Sequence, residues 1–294
     1  MTQLTGLLRT MRPKQWVKNG FVFVALVFDH KLTDSRYLLA TTAGFVLLCL
    51  ISSTVYLIND LADIEADRAH PNKRNRPLPS GQLAVPFAIS AAVALPLVAI
   101  PLAYLLRPTF AAIVAGYLLL QIAYSFRLKH MVLIDVMAIA TGFLLRVAGG
   151  VALVAPVTRF SPWLYIFTTM LALFLGFSKR RQELILLEED ANNHRAILDQ
   201  YSVALLDELI MIIVTATIMT YALYTFSAEG LPENHTMMLT IPFLLYGMFR
   251  YLYLIHVKGE VAPPDEMLFR DRPLLLTVLL WGAAVVVVLY IVPA

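Results

Sequence analysis

The sequence predicts an all-α, polytopic membrane protein, a helical bundle of about nine transmembrane helices in one domain over residues 1–294. Hydrophobic residues make up 59% of the chain and charged residues 15%, whereas a soluble domain carries about 25% charged residues. The mean hydropathy is +0.73. Apolar segments near the roughly 20 residues that cross a bilayer recur along the whole chain.

The apolar segments can be placed in order, and their number puts the two termini on opposite sides of the membrane. The first segment is short, so we expect it to be tilted or only partly inserted. The nine segments lie at about 17–30, 38–59, 84–105, 109–126, 132–154, 160–178, 202–226, 237–257 and 274–292.

The basic residues are divided unequally between the two sets of loops. Of the 23 lysines and arginines, eighteen fall in the N-terminal segment and the loops on its side, four in the opposite loops, and one, Arg146, inside the fifth segment. Cytoplasmic loops are enriched in Lys and Arg. We therefore expect an inner-membrane protein whose N-terminus and charged loops face the cytoplasm. The net charge of +3 is too small to indicate a nucleic-acid partner.

The most informative motif follows the second apolar segment. Asn59, Asp60, Asp63 and Asp67 would lie on one face of a helix that continued through them. Like charges on one face repel, so we expect a positive ion between them. Mg²⁺ prefers oxygen ligands, usually a few carboxylates and the phosphate oxygens of a substrate. We predict that the three aspartates are catalytic metal ligands and that Asn59 binds substrate. A solvated charged loop is the less favoured alternative.

Basic residues follow this motif directly. Lys73, Arg74 and Arg76 are the residue types that bind phosphate oxygens with charge-assisted hydrogen bonds. We predict that they bind a phosphorylated substrate.

A second group of candidates surrounds the fifth apolar segment. Tyr124 and Lys129 precede it, and Lys129 fits a topology anchor as well as a site residue. Asp135 lies just inside the segment, where a carboxylate usually has a function. Arg146 follows eleven residues later, close to the same helical face. It either pairs with a buried carboxylate or lines a cavity and binds an anion.

A third group ends the sixth apolar segment. Lys179, Arg180 and Glu183 share one side of a helix at this position. We favour a role in lining the substrate site, whereas a stop-transfer cluster accounts for Arg181. Asp271 is expected to cap the last helix.

These motifs resemble the UbiA superfamily of intramembrane prenyltransferases over nearly the whole chain. The resemblance rests on residues 12–19, which include the substrate-binding candidate Lys18, on the motif that begins at Asn59, and on residues 124–129. It implies a UbiA-like fold and a Mg²⁺ ion that holds a diphosphate on the first motif. Such proteins normally carry a second aspartate-rich motif after the sixth span, and this chain has Lys179-Arg180-x-x-Glu183 there instead.

The full combination of motifs is similar to the branch of this family that transfers 5-phosphoribosyl from phosphoribosyl pyrophosphate to a polyprenyl phosphate of the decaprenyl type. The resemblance implies two substrate partners besides the bilayer, release of pyrophosphate, and a role in cell-wall biosynthesis. It implies that Glu183 holds a ribose hydroxyl. Two alternatives stay open: prenyl transfer from a prenyl diphosphate to an aromatic or quinone-precursor acceptor, and transport of an anion or lipid. Assembly into a homo-oligomer is also left open.

Overall fold

A computed structural model describes residues 3–69, 73–155, 161–189, 197–262 and 264–291. Within these ranges the regular structure is entirely helical, which confirms the predicted all-α class. Short 3₁₀ helices cover Pro13–Phe23, Lys73–Asn75, Leu128–His130, Leu198–Gln200 and Thr236–Thr240. The α-helices are α1 Gln3–Thr10, α2 Val24–Phe28, α3 Ser35–Ala62, α4 Ile64–Ala69, α5 Val85–Leu106, α6 Pro108–Phe126, α7 Ile134–Val154, α8 Pro162–Glu189, α9 Val203–Ser227, α10 Ile241–His256, α11 Pro264–Arg270 and α12 Arg272–Tyr290.

Seven helical segments in the described ranges are long and apolar enough to cross a bilayer: α3, α5, α6, α7, α9, α12, and Thr236–His256, which contains α10. The chain is therefore an integral membrane protein. The first predicted segment forms the 3₁₀ helix Pro13–Phe23 followed by the short α2, and the sixth forms α8. Because these two lie outside the seven, the number of nine spans stays a prediction.

Local sequence signals set several of the helix starts. Asp34 precedes α3 and accepts a hydrogen bond from the Arg36 amide at 2.9 Å. Asp271 caps α12 by accepting from the Leu274 amide at 2.9 Å, as predicted. The hydrogen bond from Arg250 holds the pKa of Asp271 below its usual value. Asp271 therefore stays ionised and can accept from both partners.

The first compact unit comprises residues 1–127 and 145–158. Its main core is built from side chains of α3, α5, α6 and the second half of α7, with Val22, Ile51, Phe110 and Leu153 almost fully buried. The 3₁₀ helix Pro13–Phe23 joins this core through Val22. The unit holds the first predicted motif.

The second compact unit comprises residues 128–144 and 159–294. Its core joins α8, α9 and α10, and the rings of Phe174 and Tyr251 meet edge-to-face with centroids 4.8 Å apart. Gly176 lets α8 approach the start of α7, because a Cβ atom at this position would lie 2.6 Å from Val136 Cγ1. This close approach places the Lys179-Arg180-x-x-Glu183 segment beside Asp135.

Candidate active site

The helix that carries the acidic motif is interrupted within it. The predicted arrangement on one face required a helix that continues through all four residues, but α3 ends at Ala62 and α4 begins at Ile64. Asp63 between them has φ −98° and ψ 10°. The amide of Asp63 still donates to the Asn59 carbonyl at 3.0 Å, and the amide of Asp67 donates to the Asp63 carbonyl at 2.8 Å. The four residues therefore keep nearly helical spacing across a local bend.

Two of the three aspartates converge on one arginine. Arg76 Nη1 lies 2.7 Å from Asp67 Oδ2 and 3.4 Å from Asp60 Oδ1. Arg12 Nη2 donates to the same Asp60 oxygen at 2.6 Å. Asp60 and Asp67 are 2% and 3% exposed, so their charges are held largely out of water and need these cations nearby. We call Arg12, Asp60, Asp67 and Arg76 the acidic–arginine cluster.

Sequence reasoning missed Arg12 as a site residue. Its guanidinium lies 4.8 Å from the centre of the Tyr56 ring in addition to its contact with Asp60. Its backbone has φ 53°, a left-handed conformation that is uncommon outside glycine. The sequence signals were its place in the basic segment before Pro13 and in residues 12–19, on which the family resemblance partly rests. Contacts in the folded chain, rather than a pattern, bring it to the cluster.

The remaining candidates of this unit differ in how exposed their side chains are. Lys73 Nζ is 3.9 Å from Asp67 Oδ1 with its side chain 45% exposed, and Arg74 is exposed on the same 3₁₀ turn. The half-buried candidates are Lys18, Asn59, Asp63 and Tyr124. The structure therefore groups Asp60, Asp67, Lys73 and Arg76 as predicted, whereas direct substrate contacts of the others stay predictions.

The donor chemistry of the cluster fits a hard divalent cation in part. Asp60 and Asp67 offer carboxylate oxygens, which such ions prefer, and both already contact one positive group, Arg76 Nη1. Across the ranges that the structure describes, no group of three or more His, Cys, Asp or Glu side chains stands close enough to hold a metal ion. Asp60 and Asp67 are therefore the best-supported ligands, and Asp63 as a third ligand stays a prediction.

Arg146 belongs to a separate buried network in the same unit. Its Nε donates to Asn19 Oδ1 at 2.8 Å and its Nη2 to Tyr117 Oη at 2.7 Å. The Asn19 amide in turn donates to Ser52 Oγ at 3.1 Å. These contacts tie the 3₁₀ helix Pro13–Phe23 to α3, α6 and α7. They give Arg146 a structural role through neutral partners, and its predicted role in binding an anion stays a prediction.

We expect Asn19→Ala to destabilise the folded protein. It removes the acceptor of Arg146 Nε from a buried site, and an unsatisfied buried partner costs about 1–3 kcal/mol. The measurement is the thermal unfolding midpoint in detergent. Thr141→Ala is the matched control, because Thr141 is exposed on the same helix as Arg146 and its hydroxyl bonds only locally, to the Met137 carbonyl. Equal midpoints for both variants would contradict a structural role for the network.

The second unit contains its own buried ion pair. Arg180 Nε donates to Asp135 Oδ2 at 2.6 Å, and Arg180 Nη1 donates to Glu183 Oε2. Asp135 is 0% and Arg180 1% exposed. Tyr201 Oη donates to the other Asp135 oxygen at 2.7 Å and accepts from the Leu133 amide at 2.7 Å. We call Asp135, Arg180, Glu183 and Tyr201 the Arg180 network.

The structure changes how the sequence candidates of this unit are interpreted. We predicted that Asp135 contacts substrate, but each of its oxygens is engaged within the protein, by Arg180 and by Tyr201. Arg180 is likewise buried between two carboxylates. These positions favour a role in holding the start of α7 to α8. Glu183 is half-buried and Lys179 is exposed, so they can still meet a ligand, and Lys129 is half-buried.

Tyr201 is the residue of this unit that sequence reasoning missed. Burial raises the pKa of its phenol, and the hydrogen bond to Asp135 raises it further. The phenol therefore stays protonated at neutral pH and remains a donor to Asp135. A tyrosine before a helix carries no recognisable signal in the sequence, because its partner lies 66 residues away.

The helical membrane fold and the acidic motif at the end of a span fit the class of intramembrane transferases that the sequence resembles. The profile of the UbiA prenyltransferase family matches residues 20–272, and the chain belongs to this family.

Two relatives match almost the whole chain. The decaprenyl-phosphate phosphoribosyltransferase of Corynebacterium glutamicum is 34% identical over 298 residues, which cover 98% of this chain and 88% of the relative. The enzyme of the same name from Mycobacterium tuberculosis strain H37Rv is 33% identical over 292 residues, which cover 96% and 93%.

A solved structure shows the same fold. A UbiA homolog from Archaeoglobus fulgidus, bound to DMAPP and Mg²⁺, superposes with a TM-score of 0.73 and 18% sequence identity. The match covers 97% of this chain and 99% of the homolog. The UbiA-like architecture predicted from the motifs is thereby confirmed.

Proposed function

We propose that this protein transfers 5-phosphoribosyl from phosphoribosyl pyrophosphate to a polyprenyl phosphate of the decaprenyl type and releases pyrophosphate. The observation that carries the proposal is the near full-length similarity to two enzymes named decaprenyl-phosphate phosphoribosyltransferase. In this proposal the whole chain is one catalytic domain in the inner membrane, and its charged loops face the cytoplasm.

The charges of the described site residues support a donor with several phosphates. Phosphoribosyl pyrophosphate carries a diphosphate and a further phosphate, and the lipid brings another. Arg12, Lys73 and Arg76 surround the two buried aspartates, and each keeps about a third or more of its side chain exposed. Arginine and lysine in such positions bind phosphate oxygens strongly. Lys179 adds an exposed cation where the family usually has an aspartate-rich motif.

The proposed chemistry needs positioning and charge stabilisation more than a strong base. A polyprenyl phosphate is already anionic at neutral pH, so it can act as the nucleophile at the anomeric carbon. Mg²⁺, held by Asp60 and Asp67 with Asp63 as the predicted third ligand, would supply charge neutralisation for the departing pyrophosphate. Arg76 and Arg12 orient the two buried aspartates, and Glu183 holds a ribose hydroxyl. Catalysis then rests on orientation and preorganised charge.

A second candidate is prenyl transfer from a prenyl diphosphate to an aromatic or quinone-precursor acceptor. The family name and the DMAPP-bound homolog favour it. It shares the fold, the metal and the first motif with the proposed reaction. It differs in the donor, so donor consumption separates the two.

The decisive experiment is radiolabel transfer by the purified protein in detergent. It receives Mg²⁺, decaprenyl phosphate and labelled phosphoribosyl pyrophosphate, with an EDTA control. Label that moves to the organic phase only with Mg²⁺ and only with the lipid supports the proposal. Absence of transfer together with consumption of a prenyl diphosphate and an aromatic acceptor would assign the second candidate instead.

We expect Lys179→Ala to raise the KM for phosphoribosyl pyrophosphate by about tenfold or more, since a hydrogen bond to a charged group contributes about 1.5–3 kcal/mol. The KM for the lipid should stay within error, because the proposal assigns Lys179 to the donor. Lys258→Ala is the control, as Lys258 is another exposed lysine of the same unit. An unchanged donor KM, or equal changes for both substrates, would remove Lys179 from the donor site.

A further inference from the structure

The Arg180 network contains a tyrosine to which the proposed reaction assigns no role. We propose that Tyr201 is a positioning residue that holds the buried Asp135–Arg180 pair and thereby fixes the carboxylate of Glu183 for the donor. This inference rests on the proposed function and goes beyond it, because it names a residue that contacts no substrate and still controls one that does.

The Tyr201 hydroxyl makes two hydrogen bonds. It accepts from the Leu133 amide and donates to Asp135 Oδ1, both at 2.7 Å. Leu133 has φ 65°, a conformation that a bulky residue rarely adopts and that surrounding contacts must maintain. Tyr201 therefore connects the turn before α7 to the first buried charge on α7.

Tyr201 contacts one member of a buried charge pair. Asp135 and Arg180 lie 2.6 Å apart with side chains 0% and 2% exposed. A buried charge pair is strongly stabilised only when its remaining donors and acceptors are satisfied. Arg180 satisfies one oxygen of Asp135 and Tyr201 the other, so loss of the phenol hydroxyl leaves the pair incompletely held.

Arg180 connects the buried pair to the partly exposed Glu183. Arg180 uses Nε for Asp135 and Nη1 for Glu183, so one planar guanidinium links the buried carboxylate to a partly exposed one. The Glu183 side chain is 25% exposed. Because guanidinium groups bind in a fixed geometry, a rotation of Arg180 toward or away from Asp135 moves the group that orients Glu183. Tyr201 limits that rotation.

The test compares Tyr201→Phe with the wild-type protein in the radiolabel assay, with KM measured separately for each substrate. Partners that orient metal ligands typically change metal affinity or activity about 10–100-fold when mutated, and we expect an effect of the same order for a partner that orients Glu183 through Arg180. We therefore expect the donor KM to rise by about tenfold or more, with the lipid KM unchanged. Tyr246→Phe is the matched control, since Tyr246 lies in the same unit and is 48% exposed.

A double variant separates positioning from a general loss of structure. If Tyr201 acts through Glu183, Tyr201→Phe should have almost no further effect on the donor KM in a Glu183→Gln background. If the effects of Tyr201→Phe and Glu183→Gln on the donor KM multiply in the double variant, the proposal is overturned. A rise in both the donor KM and the lipid KM for Tyr201→Phe would also overturn it. If Tyr201→Phe does not fold, Arg180→Lys makes the same comparison, because it keeps the charge but not the fixed geometry of the guanidinium.

The proposed function and the positioning role of Tyr201 are rejected by different results. A wild-type protein that transfers no phosphoribosyl group rejects the proposed function and this inference with it. A wild-type protein that is active, beside a Tyr201→Phe variant with a normal donor KM, rejects the positioning role alone.

Discussion

Replacing Asp67 by asparagine is expected to reduce transfer activity by at least a factor of about 100, equivalent to about 2.7 kcal/mol of transition-state stabilisation. Asp67 is 3% exposed and lies 2.7 Å from Arg76 Nη1. It is one of the two buried carboxylates best placed to hold a divalent cation. Asparagine keeps the shape of the side chain but loses the charge, so the cation and the diphosphate are held more weakly.

The control for this variant lies two residues earlier on the same short helix. Glu65 pairs with Arg68, and its side chain is 79% exposed, so Glu65→Gln should keep nearly full activity. The measurement is initial rate against Mg²⁺ concentration for both variants and the wild type. Added Mg²⁺ should partly restore the Asp67→Asn rate if the defect is weak metal binding. Equal rates for the two variants would show that Asp67 is no metal ligand.

The membrane fold could be predicted from composition because a bilayer requires long apolar helices. Seven of the nine predicted spans appear as long apolar helices in the described ranges; the sixth, α8, lies outside the seven, and so does the segment at 17–30. That segment contains Asn19 and Lys18 among apolar residues, and Asn19 donates to Ser52 on α3 and accepts from Arg146 on α7. Hydropathy detects the apolar character of such a segment but not the partner on which it packs.

The candidate site was predictable to the extent that it lies in one stretch of sequence. The acidic motif and the basic residues after it share about twenty positions, so spacing alone grouped Asp60, Asp67 and Arg76. Arg12 joins Asp60 from 48 residues away, and Tyr201 joins Asp135 from 66 residues away. Such contacts are set by helix packing, which periodicity within one segment does not report. The break at Asp63 was missed for a related reason, since no glycine or proline marks it.

Gly150→Ala is expected to destabilise the folded protein strongly. A Cβ atom at Gly150 would lie 2.0 Å from the Val22 carbonyl oxygen and 3.0 Å from its carbonyl carbon. Both are backbone atoms of the 3₁₀ helix Pro13–Phe23, so no rotamer change relieves the clash. Overpacking typically costs about 1–3 kcal/mol, and more where the backbone must move. We therefore expect the free energy of unfolding to fall by at least about 3 kcal/mol, measured as a lower thermal unfolding midpoint in detergent.

Substitutions of two other glycines give smaller expected losses of stability, for comparison with Gly150→Ala. Gly44→Ala should be milder, because its closest neighbour is the Leu153 Cδ1 atom at 2.4 Å, the end of a flexible side chain. Gly116→Ala should be neutral or stabilising by up to about 1 kcal/mol, since nothing lies within 4 Å of its position. Similar midpoints for Gly150→Ala and Gly116→Ala would contradict the packing of Val22 on α7.

Gly150→Ala should also lower the activity, because the 3₁₀ helix Pro13–Phe23 that it displaces begins directly after Arg12. Moving Val22 away from α7 disturbs the contacts of Asn19 and Trp16 with α3, which hold the segment in register. Arg12 would then lose its 2.6 Å contact with Asp60. We therefore expect the folded fraction of Gly150→Ala to show a lower rate per folded molecule than Gly44→Ala. A normal rate in that fraction would show that Arg12 is placed independently of this packing.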